Sequence, residues 1–129
     1  MAERGQGAGS GQEGPKRVNL AEQPVYSGFP GISMQALAGA KLMINRVVLV
    51  PDAVVPEHSH PHEQGGFVLE GLLRLTVGGE TWDLGPGDAY VLPGDTRHGA
   101  TVGPDGCVVL DIFAPPREDY LALIEGSRI

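Results

Sequence analysis

Glycine and proline punctuate this chain so densely that little except short strands fits between them. Turn signals built on these residues recur at intervals of about eight to twelve residues through most of the sequence. Met34–Leu37 and Leu42–Val50 are apolar runs separated by Gly39-Ala40, and the second is rich in β-branched side chains (Ile44, Val47, Val48, Val50), so the two read as antiparallel strands. Pro51-Asp52 and Pro56 punctuate the stretch that follows. Phe67–Glu70 and Leu72–Val77 come next, the latter alternating Leu73, Leu75 and Val77 with Arg74 and Thr76, which places one face in a core and one in water. Gly78-Gly79 is a two-residue loop in which both positions tolerate positive φ, and it predicts a hairpin into Glu80–Leu84 with Trp82 and Leu84 pointing inward. Gly85-Pro86-Gly87-Asp88 and Pro93-Gly94-Asp95 bracket a short strand over Ala89–Leu92. His98–Val102 is another strand, and Gly103-Pro104-Asp105-Gly106 predicts a turn before Cys107–Phe113. Helical spacing appears only after Pro115-Pro116, in Tyr120, Leu121, Leu123 and Ile124. The fold class is all-β, a sandwich or small barrel with a short C-terminal helical segment; periodicity alone does not separate an immunoglobulin-like sandwich from a jelly roll.

A chain of 129 residues closes one hydrophobic core, so a single domain is expected over residues 18–129. The first seventeen residues carry five glycines and almost no apolar side chains, and are expected to form a disordered tail. Within them Gly9 to Gly14 matches GxGxxG, but no apolar strand precedes it and Pro15 follows, so it is not read as a dinucleotide site. Net charge of −7, with nine basic residues scattered among sixteen acidic ones, argues against nucleic acid as a partner and favours a small molecule or a protein. The single cysteine, Cys107, permits no internal disulfide, and neither a membrane span nor a signal peptide is visible. A cytoplasmic protein without membrane contact is expected.

Three of the four histidines, His58, His60 and His62, fall within five positions, and the fourth, His98, lies in a second Gly/Pro-punctuated stretch. Imidazoles gathered near one another and joined by a distant one are what a mononuclear metal site requires.

The spacings around them are informative. His58-x-His60, three residues, Gln64, six residues and Gly71 resembles the first motif of the cupins. Gly87, five residues, Pro93, and His98 five positions further on resembles their second motif. The resemblance implies a double-stranded β-helix, a jelly-roll barrel, whose motif side chains converge on one metal. Carried over, the ligands are His58, His60, position 64 and His98, with His62 beside the ligands or facing solvent. The sequence departs from the family pattern in having Gln64 for the usual Glu, Asp52 and Asp95 for two glycines, and Val102 for a final Asn. Glu63 adjoins Gln64, and a shift of one residue would exchange them as the fourth ligand. A Gln carbonyl oxygen neutralises no charge, so the site keeps the full charge of a divalent ion (Zn, Ni, Fe, Mn or Cu) and favours an anionic ligand.

Val109–Leu121, VLDIFAPPREDYL, resembles the C-terminal segment of the small pectin-degradation cupins that open 4,5-unsaturated uronate monosaccharides to linear keto sugars. That resemblance implies that Asp111, Phe113 and Arg117 lie beside the metal. Asp111 and Phe113 are two apart on a strand and face one way, while Val108, Leu110 and Ile112 face the other. A carboxylate aimed into the barrel suits general acid or base chemistry, Arg117 suits a uronate carboxylate, and Phe113 suits a sugar face. Two other readings stay open: a cupin dioxygenase, and a non-catalytic binding module whose metal only orders the barrel. Because both faces of the 107–113 strand are largely apolar, one is expected to be covered by another subunit or by the N-terminal strands, and a homodimer is expected on that basis.

Overall fold

The computed structural model describes residues 14–126. Residues 1–13 of the expected tail, with almost all of the GxGxxG match, and the last three residues lie outside them. After a short 3-10 turn at Leu20–Glu22 come eight strands: β1 (Tyr26–Phe29), β2 (Ile32–Ala38), β3 (Met43–Leu49), β4 (Val54–His58), β5 (Glu63–Val77), β6 (Glu80–Leu84), β7 (Ala89–Leu92) and β8 (His98–Ala114). One helix, α1 (Glu118–Gly126), follows. No helix among the described residues is long and apolar enough to cross a membrane.

β5 and β8 are the frame. The first half of β8 lies between β4 and the second half of β5, with Val55 opposite Ala100 and Leu73 opposite Val102. The second half lies between β3 and the first half of β5, with Asn45 and Gly66 both opposite Asp111. β7 extends the first half of β5 and β6 the second, while β1 and β2 extend β3. Two sheets therefore share two bent strands, the jelly-roll barrel that the resemblance to cupins implies. The bends are bulges. Gly71 pairs with Cys107 but Leu73 with Val102, so β8 supplies extra residues there. Gly71 has φ of 82°, and a Cβ on it would fall 2.0 Å from the Gly106 carbonyl oxygen, so the fold requires glycine at this crossing.

The Gly103–Gly106 stretch is thus not a chain reversal. The stretch is a bulge between two segments that both pair with β5, up to Val102 and from Cys107 on, so what reads as two strands is one. Likewise Phe67–Glu70 and Leu72–Val77 are parts of a single strand that begins at Glu63. The Gly78-Gly79 hairpin is as predicted: φ is 56° and 86°, and Val77 pairs with Glu80.

Inside the barrel, Met43, Val68, Leu92 and Phe113 are fully buried, together with Asn45. Each large aliphatic side chain so removed from water contributes about 1.5–3 kcal/mol. Asn45 is satisfied by the Tyr26 hydroxyl, which donates to its Oδ1 at 3.0 Å, and by a contact of its Nδ2 with Met34 Sδ. Helix α1 buries Tyr120 and Ile124, and the Tyr120 ring meets Tyr26 and Phe113 edge to face at 6.3 and 5.6 Å between centroids.

Candidate metal centre

The bends return both ends of β5 and β8 to one end of the barrel, and the histidines gather there. His58 closes β4 directly opposite His98, which opens β8. The loop after His58 turns His60 inward and carries the chain into β5. The Pro93-Gly94-Asp95 turn docks on that loop: the Asp95 amide donates to the His60 carbonyl at 2.7 Å, and a Cβ on Gly94 would lie 2.2 Å from the Pro61 carbonyl oxygen. The two histidine-bearing stretches are therefore braced against each other through their backbones.

His58, His60 and His98 each offer a ring nitrogen, and these atoms all lie within 4.8 Å of one another. The other ring nitrogen is engaged in every case. Nδ1 of His58 meets the Pro56 carbonyl at 2.8 Å, that of His60 the His62 carbonyl at 3.1 Å, and that of His98 the Thr96 carbonyl at 2.8 Å. A carbonyl can only accept, so each Nδ1 carries the hydrogen and each Nε2 presents a lone pair. His98 Nε2 is buried without a hydrogen-bond partner. His60 Nε2 lies 3.0 Å from Gln64 Oε1, which brings two acceptors together. Burial first, then for His60 the nearby Arg117 charge, holds the pKa of His60 and His98 below the ordinary histidine value, so both rings favour the neutral form that ligates. An orphaned buried lone pair and an acceptor facing an acceptor are what a cation resolves, and the donor set of imidazoles and an amide oxygen fits a divalent transition ion.

The strand register separates the two candidates for the fourth position. Gln64 is buried opposite Phe113 and Leu92, whereas Glu63 is exposed. His62 lies beside the candidate ligands rather than facing solvent: it is buried, its ring centroid is 5.4 Å from that of His60, and its Nε2 lies 2.7 Å from the Glu118 carboxylate, tying the loop to α1.

Asp111, Phe113 and Arg117 share the cavity with His58, Gln64 and His98. The cavity measures about 590 Å³ counting its open mouth, and its deeper walls are apolar, among them Ile32, Met34, Val47, Leu49, Leu73 and Leu75. Burial raises the Asp111 carboxyl to about 6, against the opposing pull of a hydrogen bond from Tyr90 and the Arg117 charge. Phe113 packs edge-on to His60 with centroids 5.8 Å apart. Arg117 is buried, with its guanidinium carbon 3.9 Å from the Tyr120 ring centroid and 5.1 Å from that of Phe113. Its Nε and Nη2 donate to the two carboxylate oxygens of Asp119 at 3.1 and 2.7 Å.

Two groups at the site are not singled out by the sequence pattern. Tyr90 hydrogen-bonds both Gln64 and Asp111, each at 3.1 Å. Its signal is slight: a hydroxyl on the inward side of the short strand Ala89–Leu92. Asp119, which holds Arg117, reads in sequence only as an acidic residue in the first turn of a helix.

The Cupin domain family matches residues 45–113, which contain His58, His60, Gln64 and His98. The chain belongs to the cupin family. Over 81 residues this cupin is 33% identical to the pectin degradation protein KdgF of Dickeya dadantii (strain 3937), a match covering 62% of this chain and 74% of that protein. Its structure is similar to that of KdgF from Halomonas sp., at 35% identity and a TM-score of 0.73, covering 78% of this chain and 94% of that one. An RmlC-like cupin from Shewanella frigidimarina is similar at 30% identity and a TM-score of 0.73, covering 78% of this chain and 90% of that one.

Proposed function

We propose that this cupin is a metal-dependent isomerase that opens a 4,5-unsaturated uronate monosaccharide to its linear keto form. The observation that carries the reading is that Asp111, Phe113 and Arg117 line the same cavity as His58, Gln64 and His98. The similarity to pectin degradation proteins supports a uronate as the substrate class. His58, His60, Gln64 and His98 would hold the ion, which when bound supplies Lewis-acid polarisation of a sugar oxygen.

Ring opening is an isomerisation. The anomeric hydroxyl loses a proton, the bond between the anomeric carbon and the ring oxygen breaks to leave an aldehyde, and C4 of the released enol gains a proton as the 5-keto group forms. Asp111 is the group placed to accept the first proton and return one, because it is half-buried, lines the cavity and is already hydrogen-bonded to a hydroxyl that can steady it. Arg117 orients the uronate carboxylate with the N–H groups that Asp119 leaves free. Phe113 covers the sugar face and excludes water.

The test is the decay of the substrate's conjugated ultraviolet absorbance with metal-replete protein. Decay faster than the spontaneous rate, lost in His60→Ala and Asp111→Asn, supports the isomerase. Stoichiometric metal with no acceleration removes this substrate.

The apolar deeper walls favour a second reading, a cupin oxygenase acting on a less polar molecule. Oxygen uptake in the presence of a reduced metal and an apolar substrate would distinguish it.

We also propose a homodimer. Phe67, Leu69, Val91 and Ile112 are exposed on the outer side of β5, β7 and β8, where Gly65 lies between Val91 and Ile112. Sedimentation as a monomer at micromolar concentration would remove it. Cys107 is buried and free, which supports a cytoplasmic setting within the same reading.

A further inference from the structure

We propose that Tyr90 is a positioning residue that fixes which way the Gln64 amide points, and so decides that an oxygen rather than an NH2 group faces the histidines. The inference rests on the metal-site reading above and concerns a residue outside the ligand set.

The argument is one of hydrogen-bond sense. Tyr90 Oη lies 3.1 Å from Asp111 Oδ1 and 3.1 Å from Gln64 Nε2. An ionised carboxylate only accepts, so the single hydroxyl hydrogen goes to Asp111. The hydroxyl oxygen then has only lone pairs to offer Gln64, and it must receive an N–H. The Gln64 NH2 is therefore turned toward Tyr90, and Oε1 is left on the opposite side, 3.0 Å from His60 Nε2. With the hydroxyl absent, the NH2 keeps only the Asp111 carboxylate as an acceptor on that side, while the His60 Nε2 lone pair favours the flip. Burial, and then the Asp111 charge, hold the phenol well above its ordinary pKa, so the hydrogen is present throughout the neutral range.

The position of Tyr90 is itself built in. Tyr90 is paired across the strands with Gly66, and a Cβ on Gly66 would lie 2.2 Å from the Tyr90 ring. The ring thus lies over backbone that only glycine leaves open, and its hydroxyl reaches between β5 and β8.

The same logic accounts for an amide where the cupin pattern has a carboxylate. A glutamate at 64 would place a second acceptor against a hydroxyl whose one hydrogen Asp111 already takes. Gln64 satisfies both neighbours, offering oxygen to a cation and N–H to the Tyr90–Asp111 pair.

The experiment measures the dissociation constant for cobalt(II), by competition with a chromogenic chelator, in wild type, Tyr90→Phe, Gln64→Ala and the double variant. Loss of an outer hydrogen-bond partner of a metal ligand weakens metal affinity by about 10–100-fold. That loss is expected for Tyr90→Phe when Gln64 is present, and no further loss in the Gln64→Ala background. The visible spectrum of cobalt-loaded Tyr90→Phe should move toward that of Gln64→Ala, a change that altered packing alone does not produce. On the unsubstituted apo-protein, one hydrogen of the Gln64 side-chain amide should be protected from exchange. Wild-type affinity and spectrum in Tyr90→Phe, an equal loss in both backgrounds, or rapid exchange of both amide hydrogens overturns the inference while leaving the metal site intact. Failure of wild type to take up any ion overturns both.

Discussion

His58 and His98 face each other across β4 and β8, with ring centroids 4.4 Å apart and both Nδ1 atoms on backbone carbonyls. Two imidazole lone pairs directed at one point gain little from water or from each other. A cation between them should stabilise the fold as well as equip it for chemistry. At a metal concentration 100 times the dissociation constant, binding contributes about 2.7 kcal/mol, equivalent to a rise of roughly 10 °C in Tm for a domain of this size. Calorimetry of chelator-treated and metal-replete protein checks this, and His98→Ala should abolish the difference. Equal transitions with and without metal in wild type would count against the site.

Arg117 is clamped on three sides, by the Asp119 carboxylate and by the rings of Phe113 and Tyr120. Lysine keeps the charge but not the planar fork or the stacking. Arg117→Lys is expected to raise KM for a uronate at least about 10-fold while changing kcat less, since a cation that only holds the carboxylate contributes equally in ground and transition states. Steady-state kinetics with metal-replete protein gives the split. A fall in kcat alone would assign Arg117 to the reacting atoms instead.

Asp119 gives acid stability a definite sign. Burial acts to raise its carboxyl, but the hydrogen bonds and charge of Arg117 outweigh that and hold it below its ordinary value. The unfolded chain therefore binds the proton more readily. The contribution is fully present above the unfolded value of about 3.9 and is lost as pH falls through the lower folded value. Asp119→Asn should lower Tm near pH 7 and make progressively less difference as pH falls below the unfolded value, because the paired charge is then being lost from wild type. Thermal melts across that range test it; parallel curves at every pH would show that the pair contributes nothing, as exposed pairs can.

Asp52 and Asp95 stand where the cupin pattern has glycine, and both keep positive φ, 63° and 65°. Aspartate tolerates this region better than most side chains but not without cost. Asp95→Ala is expected to destabilise by about 1 kcal/mol, whereas Asp95→Gly should stay within about 0.5 kcal/mol of wild type, relief of strain offsetting the greater freedom of the unfolded chain. Denaturant unfolding at fixed metal content measures both.

Much of this could be read from sequence where the signal was local. The Gly78-Gly79 hairpin, β6, β7 and the short C-terminal helix follow from turn chemistry and side-chain alternation over a few residues. The histidines announce themselves by spacing. What escaped is long-range. Tyr26–Phe29 has no alternation of its own and is a strand because β2 pairs with it. Gly103–Gly106 has the composition of a turn but forms a bulge, because β5 pairs with β8 on both sides of it. Tyr90 is 26 positions from Gln64 and 21 from Asp111, and only barrel closure brings the three together.

The bulge in β8 changes the parity of the strand. Before it the interior residues are even-numbered, His98, Ala100 and Val102; after it they are odd-numbered, Cys107, Val109, Asp111 and Phe113. β8 acts as a ruler with a splice in it, carrying His98 on one side and Asp111 and Phe113 on the other. Insert or delete one residue at the splice, and Leu110 and Ile112 would turn inward in place of Asp111 and Phe113 while His98 kept its place. A stretch outside the cavity thus sets the phase between the histidine cluster and the opposite end of the strand, and gives a lineage a way to change one lining while leaving the other where it was.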